Sequence, residues 1–211
     1  MEIISHRGYW KLKTEQNKKP AFIRSFENGF GVETDIRDYK GKLVVSHDMP
    51  NSEAMSLDVF FELYNFANIS VPLALNIKAD GLQNELMKSI KKNKIENYFL
   101  FDMSLPDLKL YVEKGFRTFL RLSEYETDLP FYDLSSGIWL DAFNNIWYSS
   151  TVIERHLNSG KTVCIVSAEL HKRNYLIHWK LLIESGIYKM KNVILCTDFP
   201  ILAKEYFSHE K

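Results

Sequence analysis

The feature that most constrains this chain is a repeated alternation of short apolar runs with stretches of helical spacing. The apolar runs are residues 3–8 (IISHRG), 31–36 (GVETDI), 71–78 (VPLALNIK), 98–102 (YFLFD), 117–122 (RTFLRL), 137–143 (GIWLDAF), 161–166 (KTVCIV) and 192–197 (NVILCT). Short continuous runs of this kind are expected of strands buried on both faces of a parallel sheet. Between them, helical patterns cover 21–29, 57–67, 81–93, 105–114, 149–158, 173–185 and 200–207. Ser56 is placed to cap the second, and Gly29, Gly115, Gly160 and Gly186 stand where helices end. The segment EYETDLPFYDLSS, between the fifth and sixth runs, shows at best a weak helical pattern. Strand–helix units in this number predict an α/β fold, a compact single-domain (β/α)8 TIM barrel over residues 1–211. Barrels of roughly 200–250 residues run as single domains, which leaves this chain little room for inserted ones.

Composition narrows the partners. A formal net charge of zero gives no field for steering towards nucleic acid or an anionic membrane. The N-terminus, MEIISHRG, has neither a basic region nor a long apolar run, so no signal peptide is expected. No segment approaches the ~18 consecutive apolar residues of a membrane span, and the default compartment is the cytoplasm. Cys164 and Cys196 lie inside apolar runs and are expected to be buried core thiols.

Polar residues gather where strands end. Residues 31–48, GVETDIRDYKGKLVVSHD, read as a strand, a turn at Lys40-Gly41 and a second strand. Glu33 and Asp35 are two apart, so in extended chain both point to one face. Two acids forced together repel unless a cation or a proton separates them. Either they hold a divalent cation, or they join a salt-bridge network with Lys78 or Arg7. His47 and Asp48 end the second strand; His6, Arg7 and Gly8 end the first run. Asn76 and Lys78 share a face of the third run, and Asp102, Arg121, Asp141, Glu169 and Asp198 complete a polar rim. The C-terminal rim is where such barrels keep their active sites.

His6-Arg7-Gly8, Glu33-Thr34-Asp35, His47-Asp48, Asn76-Ile77-Lys78 and Thr197-Asp198 with Pro200 together resemble the glycerophosphodiester phosphodiesterase family. That family belongs to the larger group of phosphatidylinositol-phospholipase-C-like phosphodiesterases. Order and approximate spacing match over nearly the whole chain. The resemblance implies hydrolysis of a glycerophosphodiester or similar small polyol phosphodiester, with His6 and His47 as catalytic acid and base. It implies phosphate contacts from Arg7 and Lys78, and Mg²⁺ or Ca²⁺ held by Glu33, Asp35 and Asn76. The family's third strand normally reads ExK, with a Glu ligand where this chain has Asn76. An insertion that many members carry after the HD motif, and that shapes their glycerol pocket, is absent here. The alternative is a catalytically impaired relative that binds a phosphorylated ligand without turnover.

Overall fold

The computed structural model describes residues 1–208. In chain order the strands are β1 (Glu2–His6), β2 (Gly31–Tyr39), β3 (Lys42–Val45), β4 (Met55–Ser56), β5 (Leu73–Ile77), β6 (Tyr98–Phe101), β7 (Phe119–Leu122), β8 (Gly137–Leu140), β9 (Thr162–Val166) and β10 (Val193–Thr197). The helices are α1 (Lys19–Glu27), α2 (Leu57–Ala67), α3 (Gln83–Asn93), α4 (Leu105–Glu113), α5 (Ser150–Asn158), α6 (Tyr175–Glu184) and α7 (Pro200–Ser208).

The parallel strands form a ring. β1 pairs with both β2 and β10, β2 pairs with β5, β5 with β6, and β7, β8, β9 and β10 pair in sequence. At the remaining seam β6 and β7 meet through one isolated parallel bridge, Leu100 to Thr118. There the Leu100 N–H donates to the Arg117 carbonyl at 2.8 Å. β2 is long because it does two jobs. Its first half lies in the barrel wall, and from Ile36 onwards it forms an antiparallel hairpin with β3, which β4 extends.

Side chains alternate between two buried environments, which is why the strands read as unbroken apolar runs. In β10, Ile194 and Cys196 join the barrel interior with Ile4, Ala74, Phe99, Phe101, Phe119 and Trp139. Val193 and Leu195 instead pack outwards with Trp179 of α6 and Phe207 of α7. Phe22, Phe60 and Leu86 cover the other half of the barrel. Each such side chain, fully buried, stabilises by about 1.5–3 kcal/mol. Aromatic pairs fill the interior beside the weak seam. Phe99 stacks on Phe119 with centroids 3.8 Å apart, and Phe101 on Trp139 at 3.9 Å. Gly31 faces this interior so closely that a Cβ would lie 2.3 Å from the Pro72 carbonyl oxygen.

Some boundaries differ from the sequence reading. β1 stops at His6 rather than residue 8, because Arg7 (φ 58°) and Gly8 (φ 84°) turn into left-handed backbone. The segment after β7 forms one 3-10 turn, Tyr132–Leu134, and no α-helix among the described residues. α6 starts later than expected because Ala168–His171 forms a 3-10 turn first, and the Asn174 side chain then accepts from the Leu176 N–H. Cys164 and Cys196 are buried free thiols, as expected. Among the described residues no helix is long and apolar enough to cross a membrane.

Candidate active site

Register places the site. Along β1, β2 and β5, His6 lies opposite Glu33, and Asp35 opposite Asn76. Neighbouring strands in register point matched side chains to one face, so these four converge on the C-terminal mouth of the barrel. All but His6 are nearly inaccessible: Glu33 is 2 % exposed, Asp35 1 % and Asn76 8 %.

The turn after β1 is built for close approach. The Arg7 N–H donates to the Glu33 carbonyl at 2.9 Å and reaches Glu33 Oε2 at 3.3 Å. A Cβ on Gly8 would sit 2.8 Å from the Ala21 Cβ, so only glycine lets this turn press against α1. Arg7, a non-glycine residue in the left-handed region, is the kind of local strain that clusters at functional sites.

His6 bonds through Nδ1 to Asp198 Oδ1 at 2.8 Å, and its Nε2 lies 3.9 Å from Glu33 Oε2. A carboxylate accepts only, so Nδ1 carries the proton and Nε2 faces the acid pair as the basic nitrogen. Burial disfavours the charged ring, but the Asp198 hydrogen bond and the charges of Glu33 and Asp198 outweigh it and raise the His6 pKa. Asp198 is itself anchored: its N–H donates to Glu169 Oε1 at 3.0 Å, and the Thr197 hydroxyl bonds the same oxygen. Burial, reinforced by the Asp35 charge, pushes the Glu33 carboxyl up.

Asp35 is the hub. Asn17 Nδ2 donates to its Oδ2 at 2.8 Å, Arg7 Nε lies 3.2 Å from the same oxygen, and Lys78 Nζ lies 3.7 Å from Oδ1. Lys78 also bonds Asp102 Oδ2 at 3.0 Å, and Asp102 pairs in turn with Arg121, which holds Glu126. The ion-pair reading is therefore realised at Asp35, whereas Glu33 pairs only with His6 among the described residues, and the pairs do not saturate the site. Asp35 Oδ1 and Asn76 Oδ1 are buried and accept no hydrogen bond among the described residues. Buried acceptors without a hydrogen bond are costly, and two hard oxygens carried at matched positions of adjacent strands suit Mg²⁺ or Ca²⁺. The residues present fit a divalent cation on that ground. Among the described residues there is no cluster of three or more His, Cys, Asp or Glu side chains with metal-site geometry. Asn76 lies outside those four residue types.

His47 stands apart from this network. Its neighbour Ser46 donates its N–H to the Asp35 carbonyl at 3.0 Å, which pins the end of β3 beside the mouth. The ring itself is 44 % exposed, with Nδ1 bonded to Asp48 Oδ1 at 2.8 Å. Asp48 thus holds the ring of its own neighbour, His47. That hydrogen bond is the main cause of the lowered Asp48 pKa, with Arg7 among the lesser charges acting on it.

Two participants, Asn17 and His171, escaped the sequence reading, and a third, Asp198, was placed on the rim without a role. Asn17 lies between the first apolar run and the first helical pattern, yet it is buried and also accepts from the Thr34 hydroxyl at 2.8 Å. Its left-handed φ of 57° was the available signal, since Asn tolerates that region, but a sequence does not display φ. Asp198, one weak rim acid among several, is the partner of His6. His171 bonds Asp141 Oδ1 at 2.6 Å and adds an imidazole to the rim from a segment read as the approach to α6.

The site thus combines a histidine–carboxylate pair with a buried acid pair at the C-terminal mouth of a parallel α/β barrel. By sequence, no protein-family model and no curated protein matches it. Among solved structures, a glycerophosphodiester phosphodiesterase from Agrobacterium tumefaciens is similar at a TM-score of 0.71 and 15% identity, over 99% of each chain. An Oleispira antarctica phosphodiesterase, solved in complex with the product sn-glycerol-3-phosphate, is similar at 0.70 and 12%, over 99% of this chain and 97% of that one. A Ca²⁺-dependent phosphatidylinositol-specific phospholipase C from Streptomyces antibioticus is similar at 0.57 and 10%, over 98% and 95%. The chain therefore has the fold that these enzymes share.

Proposed function

We propose that the protein is a phosphoric diester hydrolase acting on a glycerophosphodiester or similar small phosphodiester. One observation carries the reading. His6, oriented by Asp198, presents Nε2 beside buried carboxylates on a barrel mouth that also holds Arg7 and Lys78.

Arg7 and Lys78 bind the phosphoryl oxygens, Arg7 as a planar fork and Lys78 as a compact charge. His6 Nε2 takes the proton from the attacking hydroxyl or water, and the Asp198 carboxylate stabilises the imidazolium that results. His47, with Asp48 on Nδ1, donates from Nε2 to the leaving alkoxide. Glu33, Asp35 and Asn76 would hold the divalent cation, Mg²⁺ or Ca²⁺, which supplies Lewis-acid stabilisation of charge on the phosphoryl group.

A second reading, phosphoryl binding without turnover, draws on the exposure of His47 and on the Arg7 and Lys78 contacts already made to Asp35. Hydrolysis of bis-p-nitrophenyl phosphate, with Mg²⁺, Ca²⁺ or chelator, separates the two. Wild type should turn over with cation and stop with chelator. His6→Ala and His47→Ala should each lose about 10²-fold or more, with unfolding curves unchanged. Full turnover in either variant would remove that ring from the mechanism.

A further inference from the structure

The barrel is least complete between β6 and β7, and the incompleteness has a shape. The strands share one isolated bridge, Leu100 to Thr118. The strand–helix rhythm also breaks here, since the connection from β7 to β8 holds only a 3-10 turn. A helix in that connection would pack beside α4 and fill the groove next to the seam. In its place lies a cleft of about 340 Å³.

Its walls are mostly apolar. Leu105 and Leu108 of α4 form one side, Leu120 of β7 the floor, and Tyr125 and Pro130 the other side. Leu105 is 53 % exposed and Tyr125 69 %, so the cleft is open to solvent. At its upper end it is bounded by Asp102 and Arg121. These side chains pair with each other, and Asp102 bonds Lys78, whose ammonium lies near Asp35. The cleft thus runs from the rim that would hold the phosphoryl group down an apolar wall. Its ionic lining is Arg121 with the acids Asp102, Glu126 and Asp128, and Arg121 is held by Asp102 and Glu126.

We propose that this cleft is the subsite for one alcohol of the diester, and that it selects an alcohol with an extended apolar body. The inference rests on the phosphodiesterase reading for the position of the phosphate. It goes further in assigning the cleft and the chemical class of the group that fills it. A compact polyol leaves the exposed part of the wall uncovered, whereas an alkyl or aryl chain covers Leu105 and Tyr125 and gains by removing them from water.

The test compares p-nitrophenyl methyl phosphate with p-nitrophenyl hexyl phosphate, on wild type and on two variants of cleft residues outside the proposed machinery. Leu105→Glu places a charge in the wall at an exposed first-turn helix position that tolerates an acid. Thr127→Trp fills the cleft from its exposed loop side. Wild type should favour the hexyl ester by about tenfold or more in kcat/KM. Both variants should bring that ratio to within about twofold of unity and keep the methyl ester unchanged. Equal rates on the two esters in wild type, or a preference that survives both substitutions, overturns the proposal. A parallel titration of methyl phosphate and hexyl phosphate by calorimetry needs no turnover. If no diester is cleaved but hexyl phosphate still binds about tenfold tighter in wild type alone, the phosphodiesterase reading fails and the cleft assignment stands. Equal affinities in wild type sink the cleft assignment whether or not the protein is a hydrolase.

Discussion

Asp198→Ala isolates what orients His6. The wild-type bond, His6 Nδ1 to Asp198 Oδ1 at 2.8 Å, joins side chains only 18 % and 17 % exposed, so solvent screens it modestly. A hydrogen bond to a charged partner is worth about 1.5–3 kcal/mol, or roughly tenfold to a hundredfold in rate where it acts fully in the transition state. Removal also frees the ring to turn and to exchange tautomers, so the total loss in kcat should fall between about 10² and 10⁴. Asp198→Asn should lose less, because an amide oxygen can still accept from Nδ1 but brings no charge to the imidazolium. KM should move little, since the side-chain partner of Asp198 is His6 and not a phosphate ligand. The Asp198 hydrogen bond is the largest influence raising the His6 pKa. Without it that pKa falls, and the acid limb of the kcat/KM profile should move to lower pH. Combining Asp198→Ala with His6→Ala should cost no more than His6→Ala alone, since the two act as a unit. The assay is the pH dependence of diester hydrolysis for wild type and the four variants. A variant within about threefold of wild type, with an unmoved profile, would refute the orienting role.

Asn76→Asp adds a negative ligand to the buried oxygens at the mouth, and Mg²⁺ affinity by calorimetry should rise by about tenfold or more. Unchanged affinity would mean that Asn76 does not face the cation. His178 gives a stability prediction. Burial holds its pKa down to about 4 from 6.5, while its Nε2 meets the Tyr148 hydroxyl at 2.9 Å. The unfolded chain binds that proton first, so stability is intact above about pH 6.5 and falls as pH drops towards 4, by about 3 kcal/mol from this residue. Urea unfolding at pH 7 and pH 4 should show a loss smaller by about that amount in His178→Leu; an equal loss in both proteins would contradict it.

The barrel was legible because its strands obey a rule visible in one dimension. A strand such as VILCT buries alternate residues against the interior and against α6 and α7, so every position is apolar and the run is continuous. Helix ends were legible where a residue type carries the geometry, as with Ser56, whose hydroxyl accepts from the Val59 N–H. What stayed hidden depends on pairing between distant segments. β4 is two residues long and exists because it pairs with Val44 and Val45. The β6–β7 seam rests on a single bridge between segments joined through α4, and such pairing leaves no periodic trace in the sequence. In the site, residues on the strands themselves were legible from spacing, as Glu33 and Asp35 were. The loop partners Asn17 and His171 were not, because what selects them is the fold's placement of a loop over a strand end.

The two readings of the acid pair, cation site and salt-bridge network, are linked through charge. Around Asp35, Arg7 and Lys78 are already engaged by buried acids, so the mouth is close to balanced as it stands. Bringing a phosphodiester anion there adds one negative charge at a place where Asp35 is 1 % and Glu33 2 % exposed. An uncompensated charge in such surroundings is strongly unfavourable. Arg7 and Lys78 can turn towards the phosphate only by weakening their hold on Asp35, which moves the deficit without removing it. A bound divalent cation removes it, and Asp35 Oδ1 and Asn76 Oδ1 are the buried acceptors not occupied by hydrogen bonds. On this accounting phosphate affinity and cation affinity rise together. Inorganic phosphate should bind more tightly with Mg²⁺ present, and Lys78→Met should weaken phosphate binding without abolishing that enhancement. Phosphate binding indifferent to every divalent cation tried would leave the ion pairs as the whole role of these acids.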